Sequence, residues 1–336
     1  MVHTRQGDAY SALLAEAARY VSVGDHFRAA QTLRNAVALR PDNPQAYHNL
    51  GAGLYNSEHY VEAAQRFVEA MERNQVNTVP WALATALAFR TLVSVSDAAK
   101  PAWWSDEGLK TMSARVVRLG PGSVSANQMR ADVLCGEPPA WVVGPRSAAE
   151  LKKAATHYEQ AAALHSAPAV KDHLAGRAAW CRSREYVELM DESHKYASKQ
   201  DIRRAVRALR EAIALKPERH EAYYILGIAL HSSDAVEAAQ AFRDAKEHSV
   251  VGSEDWAEAT AWAFRMLRQD VSPGHYLDKP EWWNDEELKA LSTRVVSEAP
   301  EREVAHQMRA DVLSGQDAAW VAGPRSAAEL REAATH

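Results

Sequence analysis

Cysteine is almost missing from this chain: there are two in 336 residues, Cys135 and Cys181. Thiols this sparse exclude a disulfide framework and suit a reducing compartment. No Cys-x2-Cys pair opens a zinc site, and the fourteen histidines include no His-x3-His pair with a third ligand at useful spacing. Charge of one sign is never concentrated. The formal net charge is −5 with no basic block, so the basic stripe of a nucleic-acid binder is lacking. Long apolar runs are lacking too: the longest, near Val79–Phe89, is far short of the ~20 residues that span a bilayer. The N-terminal MVHTRQGDAYSALLAEAARY turns amphipathic at once, with no signal-peptide core. A soluble, intracellular, cytoplasmic protein with no nucleic-acid or membrane partner is expected. No G-x-S-x-G elbow, P-loop or G-x-G-x-x-G after a strand occurs. No catalytic, cofactor-binding or metal residue is therefore assigned, no cofactor is expected, and the chain is not read as an enzyme.

What the chain has is repetition on two scales. Trp103–His157 and Trp282–His336 are identical at 35 of 55 aligned positions, at a constant offset of 179. Within each long unit run helix–turn–helix patterns of ~34 residues. Supersecondary units repeated in this way stack in a row, each touching mainly its neighbours.

Pro44–Asn77 displays the short pattern. Tyr47, Leu50, Gly51 and Leu54 recur at helical spacing, as do Ala63, Phe67 and Ala70, with a polar break at Asn56–His59. The small residues Gly51 and Ala63 let two helix axes approach closely. Asp8–Pro41, Tyr186–Arg219 and His220–Ser253 repeat the pattern, the last with a turn one residue shorter. These segments resemble the tetratricopeptide repeat, whose W-x2-L-G-x2-Y…A-x3-F…P pattern is matched by Tyr47, Leu50, Gly51, Leu54, Ala63 and Phe67. Tyr47 replaces the tryptophan, and Gln75 stands near the place of the proline.

The expected fold is all-α: a right-handed superhelical α-solenoid of stacked tetratricopeptide-like hairpins. A first array covers residues 8–185, with hairpins near 8–43, 44–77, 78–118 and 123–168 and a further helix at 170–183. A duplicated array is expected over 186–336, cut within its last helix, and with it a natural protein longer than this chain. Helices are expected to start at Ser105 and Asn284, and at Ser147 and Ser326. Glu150, Glu287 and Glu329 stand at capping-box spacing from Ser147, Asn284 and Ser326.

Eight of the ten tryptophans fall into matched pairs. Trp81 and Trp256 take the place of the repeat's large aromatic and are expected in the core. Trp103/Trp282, Trp104/Trp283 and Trp141/Trp320 lie in or beside loops. They either fill space over helix ends, the expected role, or stand exposed as binding anchors. One of the adjacent Trp103 and Trp104 is expected to face solvent. Asp132 and Asp311 lie two residues from Arg130 and Arg309, too near to face them on a helix.

The resemblance implies a concave groove lined by the first helix of each hairpin, able to hold a peptide or helix. The residues expected to face it are His48, Asn49, Ala52 and Tyr55 in the first copy and Tyr224, Ile225, Ile228 and His231 in the second. The first set is polar and the second mostly apolar, so the two grooves should prefer different ligands. Some relatives grip acidic chaperone C-termini with a lysine/asparagine/arginine clamp. Here Leu14, Ala18, Val79 and Leu83 stand at the clamp positions, and only Asn49 fits. The expected function is a non-enzymatic scaffold binding a protein or peptide. The alternative is the helical regulatory or targeting part of a larger enzyme or multiprotein complex.

Overall fold

The computed structural model describes residues 2–96, 98–137, 140–268, 279–315 and 320–336. Among them are sixteen helices and no strand. The chain divides into two compact units, Met1–Glu185 and Tyr186–His336. The first unit holds α1 (Val2–Ser22), α2 (His26–Leu39), α3 (Pro44–Asn56), α4 (Tyr60–Arg73), α5 (Val79–Ser94), α6 (Asp106–Leu119), α7 (Val124–Cys135) and α8 (Ala148–Leu164). Each packs on the next in chain order, and α5 also packs on α7. The helix expected at 170–183 does not stop there. It forms one 30-residue helix, α9 (Pro168–Ala197), with the start of the second copy, because nothing between Arg182 and Arg184 breaks helical backbone. The second unit continues with α10 (Ile202–Leu215), α11 (His220–Leu230), α12 (Ala235–His248), α13 (Glu254–Arg268), α14 (Asp285–Glu298), α15 (Glu303–Ser314) and α16 (Ala327–Ala333). From α10 onward each helix again packs on the next, and α13 also meets α15. The longer second loop falls largely on residues 269–278, outside the described residues.

The small–large alternation sets the hairpin geometry. A Cβ on Gly51 would lie 2.9 Å from the Phe67 ring, and one on Gly227 2.8 Å from Phe242. Ala63 and Ala238 are wholly buried beside them. Glycine is needed here for close approach, because the ring of the second helix lies directly on the backbone of the first. The turns repeat as well. Gly24, Glu58 and Gln200 all take positive φ. The next residue's N–H then reaches back to the carbonyl five residues earlier: Asp25 to Tyr20 at 2.9 Å, His59 to Leu54 at 2.9 Å and Asp201 to Tyr196 at 3.0 Å. This left-handed C-terminal closure satisfies carbonyls that the helix end leaves free. Ser147 and Ser326 form complete capping boxes with Glu150 and Glu329. At Asn284 only half of the box is made: its side chain accepts from the Glu287 N–H.

Both loop tryptophans are packed, so neither Trp103 nor Trp104 is the exposed member of the pair. Each is half-buried, against Leu92 and Val95 on one side and the core around Phe89 on the other. The Trp104 indole donates to the Ala140 carbonyl at 3.0 Å, and Lys100 lies 5.0 Å over its ring. The two adjacent rings do not diverge: they meet each other at 5.7 Å and 50° and pack on the same two clusters. Trp141 donates to Asp106 at 3.0 Å. Arg146 closes the loop before α8: it donates to Asp106, to the Val133 carbonyl at 3.0 Å and to the Gly144 carbonyl at 3.3 Å. Asp285, Trp320 and Arg325 repeat this arrangement in the second unit. Trp81 and Trp256 are core residues, each 4% exposed.

Asp132 faces away from Arg130, as the two-residue spacing requires. Arg130 instead donates to the Lys110 carbonyl at 2.7 Å. Asp132 accepts the Tyr158 hydroxyl at 2.5 Å, and Arg177 stands 3.7 Å away. The two cysteines, unrelated by the duplication, meet in this same cluster. Cys135 Sγ lies 3.4 Å from the Tyr158 hydroxyl and 3.5 Å from Arg177, with Cys181 as a further partner. Both are buried free thiols.

Burial pushes the Asp132 carboxyl up to about 7. The folded chain therefore keeps a proton that the unfolded chain releases near its ordinary value of ~3.9. Stability from this residue is full below that value and is lost as pH climbs to about 7. Asp132→Asn is expected to flatten that decline. Urea midpoints measured across the acid-to-neutral range check it, and an unchanged slope would refute the assignment.

Candidate functional site

In the second unit, the first helices of three successive hairpins, α11, α13 and α15, share one recessed face. A cavity of 260 Å³ is bounded by His220, Glu221, Tyr224, Ile225, Asp255 and Glu258. A second, of 430 Å³, is bounded by Glu258, Trp262, Arg265, Arg302, Val304 and Gln307, among others. Glu258 lines both. Helical spacing explains the placement: Tyr224 and Ile225 sit between the buried positions Ala222 and Leu226, so they are turned partly outward.

The recess is held by hydrogen bonds and stacked rings. The Tyr224 hydroxyl donates to Glu258 Oε1 at 2.7 Å. Burial, then this bond to a carboxylate, holds that hydroxyl above its ordinary pKa, so it stays a donor. Arg302 lies 2.8 Å from Glu254 and 3.5 Å from Glu258. Phe242 supports the floor from below. Trp262 stacks on it at 5.4 Å and 13°, and Tyr224 meets it edge-on at 5.7 Å. Arg265 lies 5.0 Å over the other aromatic partner, Trp262, and reaches Gln307 at 3.4 Å. Of the sequence-expected residues, Tyr224, Ile225 and Ile228 are half-buried and His231, the C-cap of α11, is exposed. The His231 ring contacts Trp262 edge-on at 5.9 Å.

The first unit presents the matching face on α3 and α5. His48, Asn49, Ala52 and Tyr55 are all half-buried. His48 packs edge-on against Phe67 at 5.9 Å, and burial lowers its pKa, so the ring is neutral near pH 7. Asn49 accepts from Gln45 at 2.8 Å, and Tyr55 meets Tyr60 edge-on at 5.2 Å. Leu83 and Val79 on α5 are 39% and 60% exposed. Arg90 lies 5.0 Å over the Tyr55 ring.

Four contributors escape a reading of the sequence alone: Arg90, Glu258, Trp262 and Arg302. A signal existed for one. Trp262 is one of two tryptophans without a counterpart in the other copy, where Leu87 takes its place.

One hairpin in each unit nests a glycine under a phenylalanine, the packing of a tetratricopeptide-like fold. No protein-family model and no curated protein matches the sequence. Several solved tetratricopeptide structures are similar to it. The TPR2AB domain of yeast Sti1, in a pHSP90 complex, is 16% identical, with 98% of this chain and 99% of that chain covered and a TM-score of 0.36. YrrB, described as a TPR protein with an unusual peptide-binding site, is 19% identical over 66% of this chain and 89% of its own, at 0.34. TTC0263, a thermophilic TPR protein of Thermus thermophilus, is 16% identical over 66% and 99%, also at 0.34. No residue correspondence follows from likeness at this level.

Proposed function

We propose that the chain is a non-catalytic protein-interaction scaffold whose recessed helix faces hold an extended or helical peptide. The observation that carries this reading is the second unit's pair of cavities, both lined by Glu258. There Tyr224, Ile225 and Trp262 offer a half-buried apolar floor beside a charged rim. A few polar groups around an apolar recess are the usual composition of a binding site. The floor residues are fixed by Phe242 and by the Tyr224–Glu258 bond, so little ordering entropy is lost on binding. The two faces descend from one template yet differ in chemistry, which favours two ligands of different character. Among the described residues no helix is long and apolar enough to cross a membrane.

Tyr224→Glu combined with Ile228→Glu is expected to abolish capture of peptides selected on the second unit while leaving the helical signal intact. Circular dichroism and a peptide pull-down on the same sample measure both. Full retention of binding would end the proposal.

A further inference from the structure

Arg90 is the one formally charged residue on the first unit's face at positions where the second unit has a charged rim. Where the second unit carries Glu258, Glu301, Arg302 and Glu303, the matching positions of the first are Leu83, Gly122, Ser123 and Val124. His48 is neutral near pH 7 and Asn49 is an amide, leaving a single cation.

That cation forms no ion pair with another described residue. Arg90 is half-buried, its Nε is shut off from solvent without an acceptor, and its guanidinium has no hydrogen-bond or ion-pair partner among the described residues. It lies 5.0 Å over the face of Tyr55, which holds the planar fork in place without using its donors. The matching Arg265 of the second unit also lies over an aromatic ring, but it donates to Gln307. The terminal N–H groups of the guanidinium remain free of any acceptor among the described residues, and a guanidinium in a neutral apolar setting attracts a carboxylate.

We infer that Arg90 is a specificity residue: the first unit's face binds a peptide bearing an aspartate or glutamate side chain that docks on Arg90, flanked by apolar residues resting on Leu83 and Ala52. This rests on the reading of these faces as peptide grooves. It involves one cation beyond Leu83 and Leu87 on α5, and no basic clamp across three helices. The second unit, with Glu258 in place of Leu83, rejects the same peptide by charge.

The test uses the full chain carrying Tyr224→Glu and Ile228→Glu, which silences the second unit, and a randomised peptide library displayed with blocked C-termini. Selected peptides are expected to carry an acidic residue at one fixed position. Replacing that residue by its amide, or making Arg90→Gln, should each weaken binding roughly tenfold to a hundredfold. Making both changes should cost little more than either alone, the mark of direct coupling. Arg90→Lys should recover part of the loss, and Leu83→Glu should weaken acidic peptides more than their amide versions. Peptides that are blocked by Ala52→Gln but lack an acid, or whose acid and Arg90 contribute additively, overturn this inference and leave the groove reading standing. Peptides indifferent to Ala52→Gln overturn both.

Discussion

Arg146→Met is expected to destabilise the first unit by about 3–5 kcal/mol, although Arg146 touches no surface proposed to bind anything. Its side chain is 1% exposed, and it holds Asp106, the first residue of α6, together with the Val133 and Gly144 carbonyls. Removing the guanidinium leaves the Asp106 carboxylate, itself only 21% exposed, with Lys110 at 3.4 Å and the Trp141 indole as its remaining partners, and deleting the buried member of an ion pair is costly. Asp106→Asn added to Arg146→Met should therefore recover part of the loss, because the amide oxygen can still accept from Trp141.

Acidification supplies an independent check. The hydrogen bond from Arg146 holds the Asp106 carboxyl well below the usual carboxylate range. The stability it contributes is present above the unfolded value of ~3.9 and is lost only as pH falls through the lowered value. In Arg146→Met the carboxyl is released from that hold, so the penalty of the substitution should shrink once pH drops below about 4. Urea unfolding of both chains across that range measures it; a penalty independent of pH would show that packing, and no charge pair, is what Arg146 supplies. Arg325 should behave alike in the second unit, where its side chain is 7% exposed and Asp285 takes the part of Asp106.

Phe242→Ala is expected to cost about 3–5 kcal/mol in the second unit. The ring is wholly buried, lies on the backbone of Gly227 and carries Tyr224 and Trp262. Its loss leaves a cavity under the recess as well as a weaker hairpin, so peptide capture by the second unit should fall with stability. Because the chain has two units, a single melting point would blend two transitions, and amide hydrogen exchange resolves them. Exchange should accelerate across α11 and α12 and stay unchanged across α3 and α4. Equal acceleration in both places would show that the hairpins do not respond as separate units.

The hairpins were legible from the residues because the physics that builds them is local. Gly51, Ala63 and Phe67 lie within seventeen residues, helical spacing puts them on facing sides, and a short turn brings them together. The same holds for the caps at Ser147 and Ser326, where donor and acceptor are three residues apart. Asn284 marks the limit of that reasoning: the spacing of a capping box is present, yet only the cap side chain bonds. The adjacency of Trp103 and Trp104 misled for a related reason. Adjacent side chains point apart only in a regular strand or helix; in this loop the two rings turn onto each other at 5.7 Å and share one apolar surround.

Local spacing and the duplication thus determined the helices, their pairing into hairpins and the faces on which candidate ligand contacts fall. Tertiary structure alone decided which of those contacts have partners. Arg90 with Tyr55, Tyr224 with Glu258, Glu258 with Arg302, and Cys135 with Cys181 are each joined across 34 to 46 residues. No periodicity within one helix encodes such a meeting. It is set by how closely one hairpin nests on the next, and nesting decides whether a charged side chain finds an acceptor or is left to find one in a ligand.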